Sequence, residues 1–158
     1  MIYISLSEDP YLLDHIDHVL FIHTPLHIAA SSCPVQFVKE IMRLYPSFAR
    51  KLNQEGFSPM HAALHDGQTK VVLGFLDTES ELVLVQGREG RTPLQYVAEQ
   101  GDVDLLIKTA RAYHEGSDIH ERKIINWKDD DGNTVLHVAT TKNQPQGVTF
   151  QELKRLRH

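Results

Sequence analysis

The chain is poor in cysteine, in net positive charge and in long apolar runs. Its single cysteine, Cys33, rules out an internal disulfide and a cysteine zinc cluster, which suits a reducing compartment. The net charge of −5 argues against a nucleic-acid binder, which would usually carry a basic surface. No apolar run approaches the roughly 18 residues of a membrane-spanning helix. The start, Met1-Ile2-Tyr3-Ile4-Ser5, lacks a charged region followed by an apolar one, so no signal peptide is expected. Catalytic signatures are missing too: there is no G-x-S-x-G, no H-E-x-x-H and no phosphate loop. The glycine pair in Gly87-Arg88-Glu89-Gly90 is too short to cradle a pyrophosphate, and a lone Cys33 in a turn is no nucleophile. The expectation is a chain that is not an enzyme, with no cofactor and no metal.

What is present is ordinary in amount and ordered in arrangement. The 158 residues make one domain's worth of chain, and 41% hydrophobic with 23% charged residues is usual for a soluble globular protein. The order lies in Thr24-Pro25-Leu26-His27-Ile28-Ala29-Ala30, which returns at Ser58–Leu64, Thr92–Ala98 and Thr134–Thr140. From these positions the starts are 34, 34 and 42 residues apart. A fixed period of this length marks stacked repeats. Thr or Ser is a helix N-cap, and Pro follows where its missing N–H costs nothing. Leu or Met opens the apolar face, and small residues such as Ala29 and Ala63 let a neighbouring helix approach. Gly56, Gly90 and Gly132 each lie two residues before a cap, where a tight turn is needed.

A turn glycine followed by T-P-L-H-x-A-A resembles the signature of the ankyrin repeat, over roughly residues 10 to 143. The resemblance implies an all-α solenoid: a short β-hairpin loop and two antiparallel helices per repeat, stacked with a concave groove. The runs Ile41–Asn53 and Gly87–Leu94 also resemble plant ankyrin-repeat proteins of the bian-da and accelerated-cell-death type. Those generally carry several repeats, then C-terminal membrane helices, and act in defence signalling. This chain has no such helices of its own. The expected organisation is a partial repeat over 1–18, repeats over 19–52, 53–86 and 87–128, a partial repeat over 129–143, and a divergent tail over 144–158. The first loop lacks its glycine, and Cys33 stands where ankyrin repeats usually place glycine between helices, so strain is expected there. Val35, Val38, Ile41, Met42 and Tyr45 mark one buried helix face, and Val71, Val72, Phe75 and Leu76 another. The extra residues of the longer period fall within Ala110 to Trp127, where Gly116-Ser117 offers a helix stop. Thr149-Phe150-Gln151-Glu152 has the spacing of a capping box.

The ten histidines invite a metal reading, since His23 and His27 are four apart, as are His61 and His65. His23 precedes the cap, so the first pair is not on one helix. The resemblance implies instead that His27, His61 and His137 bond backbone at the hairpin, and Gln95 in the same slot can also donate and accept. Asp129-Asp130-Asp131-Gly132-Asn133 looks like half a calcium loop. Trp127 and Val138 stand where an EF-hand needs oxygen ligands, so an acidic hairpin tip is expected. The basic end, Lys154-Arg155-Leu156-Arg157-His158, has fewer charges than the cluster of about 4–8 that binds acidic lipid.

What remains is surface recognition of a protein partner. The resemblance places Gln54, Glu55, Phe57, His65 and Asp66 along the groove, then Arg88, Glu89, Arg91, Glu99 and Gln100, then Asp130, Asp131, Asn133 and Lys142. Phe57 is expected to be an exposed aromatic, of the kind that dominates binding hot spots. The expected role is an adaptor or scaffold in plant defence signalling, cytoplasmic and recruited to a membrane through partners. An alternative role is a soluble regulator that pairs with longer, membrane-anchored relatives through apolar repeat ends.

Overall fold

The computed structural model describes residues 21–116 and 126–141. Lys142 and the expectations for 1–18, the Thr149 box, the tail 144–158 and most of the insertion lie outside the described residues.

Each T-P motif starts a short inner helix: α1 (Pro25–Ser32), α3 (Pro59–His65) and α5 (Pro93–Gln100). Thr24, Ser58 and Thr92 hold extended backbone and accept from the N–H three residues on. The bond is returned. The His27 and His61 rings and the Gln95 amide accept from the N–H of their cap residue, at 3.1, 3.2 and 2.9 Å. These are capping boxes, with histidine in two of the places usually held by Glu or Gln. The longer outer helices are α2 (Val35–Leu44), α4 (Thr69–Thr78) and α6 (Val103–Gly116). The last inner helix is α7 (Val135–Thr141). Asp102 Oδ1 accepts from the Leu105 N–H at 3.0 Å and caps α6, which runs on to Gly116.

The helices form two rows. Along the inner row α1, α3, α5 and α7 pack in chain order, and behind it α2, α4 and α6 do the same. Leu26, Met60, Leu94 and Leu136, at one motif position, are all buried between the rows. Ala29 and Ala63 are fully buried one turn later, so short side chains set the close spacing of the inner row. After α2 and α4 the chain tightens into 3-10 turns, Pro46–Arg50 and Ser80–Leu84, which drop Phe48, Ala49, Leu82 and Val83 into the core. The sequence reading did not foresee these turns, because two-residue apolar pairs carry no periodicity.

Two expectations change. Cys33 has φ −102° and ψ 159°, extended backbone open to any residue, and its N–H bonds the Ala29 carbonyl, so no strain is stored there. The loops are hairpin turns without regular strands among the described residues. Each is closed by a backbone bond from its first to its fifth residue: Asn53 to Phe57, Gly87 to Arg91 and Asp129 to Asn133, at 2.8, 2.8 and 2.9 Å. One isolated parallel bridge joins Phe21 to Leu52.

Phe75 on α4 is fully buried among side chains of the adjoining helices. Phe75→Ala is expected to cost about 3–5 kcal/mol through lost transfer energy and the cavity left behind. The check is the shift in urea midpoint, with Phe37→Ala, at a surface position, as the mild comparison.

Candidate partner-binding face

The side chain that closes each capping box also reaches the next loop. His27 Nε2 lies 2.7 Å from the Phe57 carbonyl, and His61 Nε2 lies 3.1 Å from the Arg91 carbonyl. Gln95 Nε2 donates to both the Trp127 and Asn133 carbonyls, at 2.9 and 2.8 Å. A backbone N–H can only donate and a carbonyl only accept. Both histidines are therefore held as the neutral tautomer with the proton on Nε2. Burial lowers the pKa of each ring to about 4, against the opposing pull of the carbonyl; a neighbouring histidine, His23 or His27, lowers it further.

The loops also bond one another. The Arg88 N–H donates to the Gly56 carbonyl at 2.9 Å, and the Asp130 N–H to the Glu89 carbonyl at 3.0 Å. Asn53 and Asp129 brace their own loops, each Oδ1 accepting from the N–H groups two and four residues on. Asp129 is thus a buried brace rather than part of an exposed tip, and only Asp130 and Asp131 stand outward. Gly87 holds the same position in the middle loop. A Cβ there would strike the Gly56 carbonyl and crowd the His61 ring, so no bracing side chain fits. The loop without that first-residue brace, where the Gln86 amide donates instead to the Gly90 carbonyl at 3.1 Å, carries Glu89 at φ 60°, left-handed backbone that is uncommon outside glycine.

Loop 87–91 overhangs α3 and α5 and encloses a cleft of about 230 Å³. Five of the residues expected along the groove line it: Phe57, Arg88, Glu89, Arg91 and Glu99. Gln54, Glu55, His65, Asp66, Gln100, Asp130 and Asp131 stand exposed on the loops and helix ends, and Asn133 is half-buried. Two of the expectations are modified. Phe57 is half-buried, stacked on His61 at 6.0 Å and edge-on to Tyr96 at 5.2 Å between ring centroids. Arg91 is an internal tie: it pairs with Glu99, with Glu89 at 3.4 Å and with the buried Asp129 at 3.7 Å. These carboxylates, Glu99 first through its hydrogen bond, raise the Arg91 pKa. The sequence reading missed Tyr96. It occupies the variable position of the motif, where the other copies have Ile28, Ala62 and Val138, and that contrast was its only signal. Burial raises the Tyr96 pKa, and the charges of Glu99, Asp66 and Glu55 add to the effect.

Among the described residues, no group of three or more His, Cys, Asp or Glu side chains is placed to hold a metal ion. No described helix is long and apolar enough to cross a membrane.

Stacked helix pairs tied loop to loop by the capping side chain are the ankyrin-repeat fold, and the chain has that fold. A solved structure of the ankyrin repeat domain of Bcl-3 matches it with a TM-score of 0.66 and 22% identity, over 84% of this chain and 56% of that one. The ankyrin repeat-containing protein BDA1 of Arabidopsis thaliana is 42% identical over 57 residues, 36% of this chain. A putative E3 ubiquitin-protein ligase of the same plant, XBAT31, is 22% identical over 129 residues, 80% of this chain. The chain spans 13% and 28% of the length of these two curated relatives. No family model matches the chain.

Both buried rings stay neutral in the folded state and take up protons on unfolding below the ordinary histidine pKa of 6.5. Their stabilising effect is complete above pH 6.5 and is lost as the pH falls toward 4. Near pH 5 the loss is about 2 kcal/mol per ring. The double substitution His27→Gln, His61→Gln should keep both bonds, as Gln95 does, and remove most of that fall. Urea unfolding at pH 7 and pH 5 measures it.

Proposed function

We propose that the chain is a non-catalytic adaptor that holds a protein partner on the face made by its loop tips and inner helices. The fold is typically that of a non-catalytic protein interaction module. The observation that carries the finer reading is the cleft: Phe57, Tyr96, Arg88 and Glu99 converge there from one helix and two loops. Loops bonded to one another and to buried helices keep those side chains in place, so little ordering entropy is lost when a partner docks. The resemblance to bian-da-type proteins supports a setting in plant defence signalling, in the cytoplasm and at membranes reached through partners.

The test is affinity capture from plant extract with the wild type beside a Phe57→Ala, Arg88→Glu variant. Arg88 is chosen because it is exposed, whereas reversing Arg91 would put a fourth carboxylate among three and unsettle the stack. With equal helical circular dichroism, a partner held by the wild type should be lost or weakened about tenfold or more by the variant. Equal retention by both would move the binding surface away from this face.

A further inference from the structure

The first described repeat turns an apolar side to water. Phe21, Ile28, Phe37 and Leu44 are four of the five large hydrophobic residues that stand exposed among those described. Phe37, Ile41 and Leu44 recur at spacings of four and three, so they share one side of α2, with Glu40 between them. One period on, in α4, the residues matching Phe37, Glu40 and Ile41 are Val71, Gly74 and Phe75. All three are buried, and a Cβ at Gly74 would stand 2.5 Å from a Val35 methyl of α2. This side of an outer helix is therefore the side that the preceding outer helix covers. The inner helices show the same contrast. Ile28 is 42% exposed, whereas Ala62, Tyr96 and Val138 at its motif position are 8, 8 and 7% exposed. The end of a solenoid normally turns a polar face to water, so an apolar end calls for a cover.

Chain position and residue pattern name that cover. Twenty residues precede Phe21, and their exit is fixed beside this end of the stack. Phe21 bridges Leu52, and the Ile22 N–H donates to the Leu52 carbonyl at 3.1 Å, just past α2 and its 3-10 turn. The turns after α2 and α4 open Pro46-Ser47-Phe48-Ala49 and Ser80-Glu81-Leu82-Val83, each with a buried apolar pair in third and fourth place. Pro10-Tyr11-Leu12-Leu13 has the same form, at nearly the same distance from the Thr24 cap as those turns from Ser58 and Thr92. Ahead of it Ile2, Tyr3 and Leu6 fall at helical spacing, where α2 and α4 stand ahead of their own turns. Ser7, Glu8, Asp9, Asp14 and Asp17 lie among these apolar residues and supply a polar outer side.

We infer that residues 1–20 fold back over this end of the stack and close it. Leu12 and Leu13 seat against α1 as Phe48 and Ala49 do against α3. Ile2, Tyr3 and Leu6 cover Ile41 and Leu44, with Phe37 at the margin. Tethered at Phe21, the segment meets this side at an effective concentration on the order of millimolar, which a separate chain has to exceed. With the end closed a partner meets only the loop face; with it open the stack offers a second, apolar one. The inference does not depend on the function proposed above.

The experiment is hydrogen exchange on the full chain at two protein concentrations. Amides of residues 10–16 should exchange about tenfold or more slowly than in a synthetic peptide of residues 1–20. Ile28→Glu, Leu44→Glu should remove that protection and leave α4 unchanged. A second variant, Leu12→Asp, Leu13→Asp, leaves the described stack untouched; it should speed exchange in α2 and increase binding of an apolar dye. Circular dichroism checks both, and if the first variant does not fold the second decides alone. Exchange over 10–16 as fast as in the peptide would overturn the inference. So would protection that survives both variants, which would put the segment elsewhere. Protection seen only at the higher concentration would make the cover a second copy of the chain and overturn it too.

Discussion

One polar side chain per motif, His27, His61 or Gln95, has three bonds to make, and the stack depends on all of them. Its own N–H meets the cap hydroxyl, its acceptor atom meets the cap N–H, and its donor reaches a loop carbonyl about thirty residues further on. The first two bonds start a helix. The third joins that helix to the next repeat. A buried polar group left unpaired is costly, so the register between neighbouring repeats is tied to the geometry of each helix start. Helices as short as seven or eight residues would be marginal alone, and this coupling, with burial of the apolar faces, holds them.

The same ties shape the recognition face. Arg88 and Asp130 donate backbone bonds to the preceding loop, so the three described loops line up as a row. Gly87 permits the middle loop to approach Gly56 closely, and that loop is then held from the far side by Arg91, which reaches Asp129 in the next loop. The cleft beneath it is a by-product of stacking, lined by whatever occupies the variable motif position and the loop ends. Change at those positions alters what is recognised and leaves the frame unchanged, which is how repeat folds separate stability from specificity.

Some of this was legible in the residues. The period, the T-P starts and the apolar stripes identify the solenoid because each reflects local chemistry: a cap, a proline that fits the first turn, a helical spacing of apolar side chains. The structural role of His27 and His61 was expected from resemblance, and the geometry supplies the reason. Five expected groove residues meet at the cleft. Others were less legible. Phe57 read as exposed because a loop phenylalanine after a glycine gives no local sign that Tyr96 and His61 lie against it. Arg91 read as a free contact because its three carboxylate partners come from its own loop, from α5 and from the next repeat.

The sequence by itself determined where the described inner helices begin and which faces they bury, since caps and periodicity act within a few residues. It also determined the number of loops available to stack. Only the three-dimensional structure decided that Asp129 braces a loop rather than marking an acidic tip, that Cys33 sits in relaxed backbone, and that Tyr96 lines a cleft with Phe57, His61, Arg88, Glu89, Arg91 and Glu99. The first two turn on how the backbone of a few neighbouring residues closes on itself, which residue type alone does not dictate; the third depends on Phe57 and Tyr96, far apart in the chain, meeting at 5.2 Å between ring centroids, and no local pattern encodes that meeting.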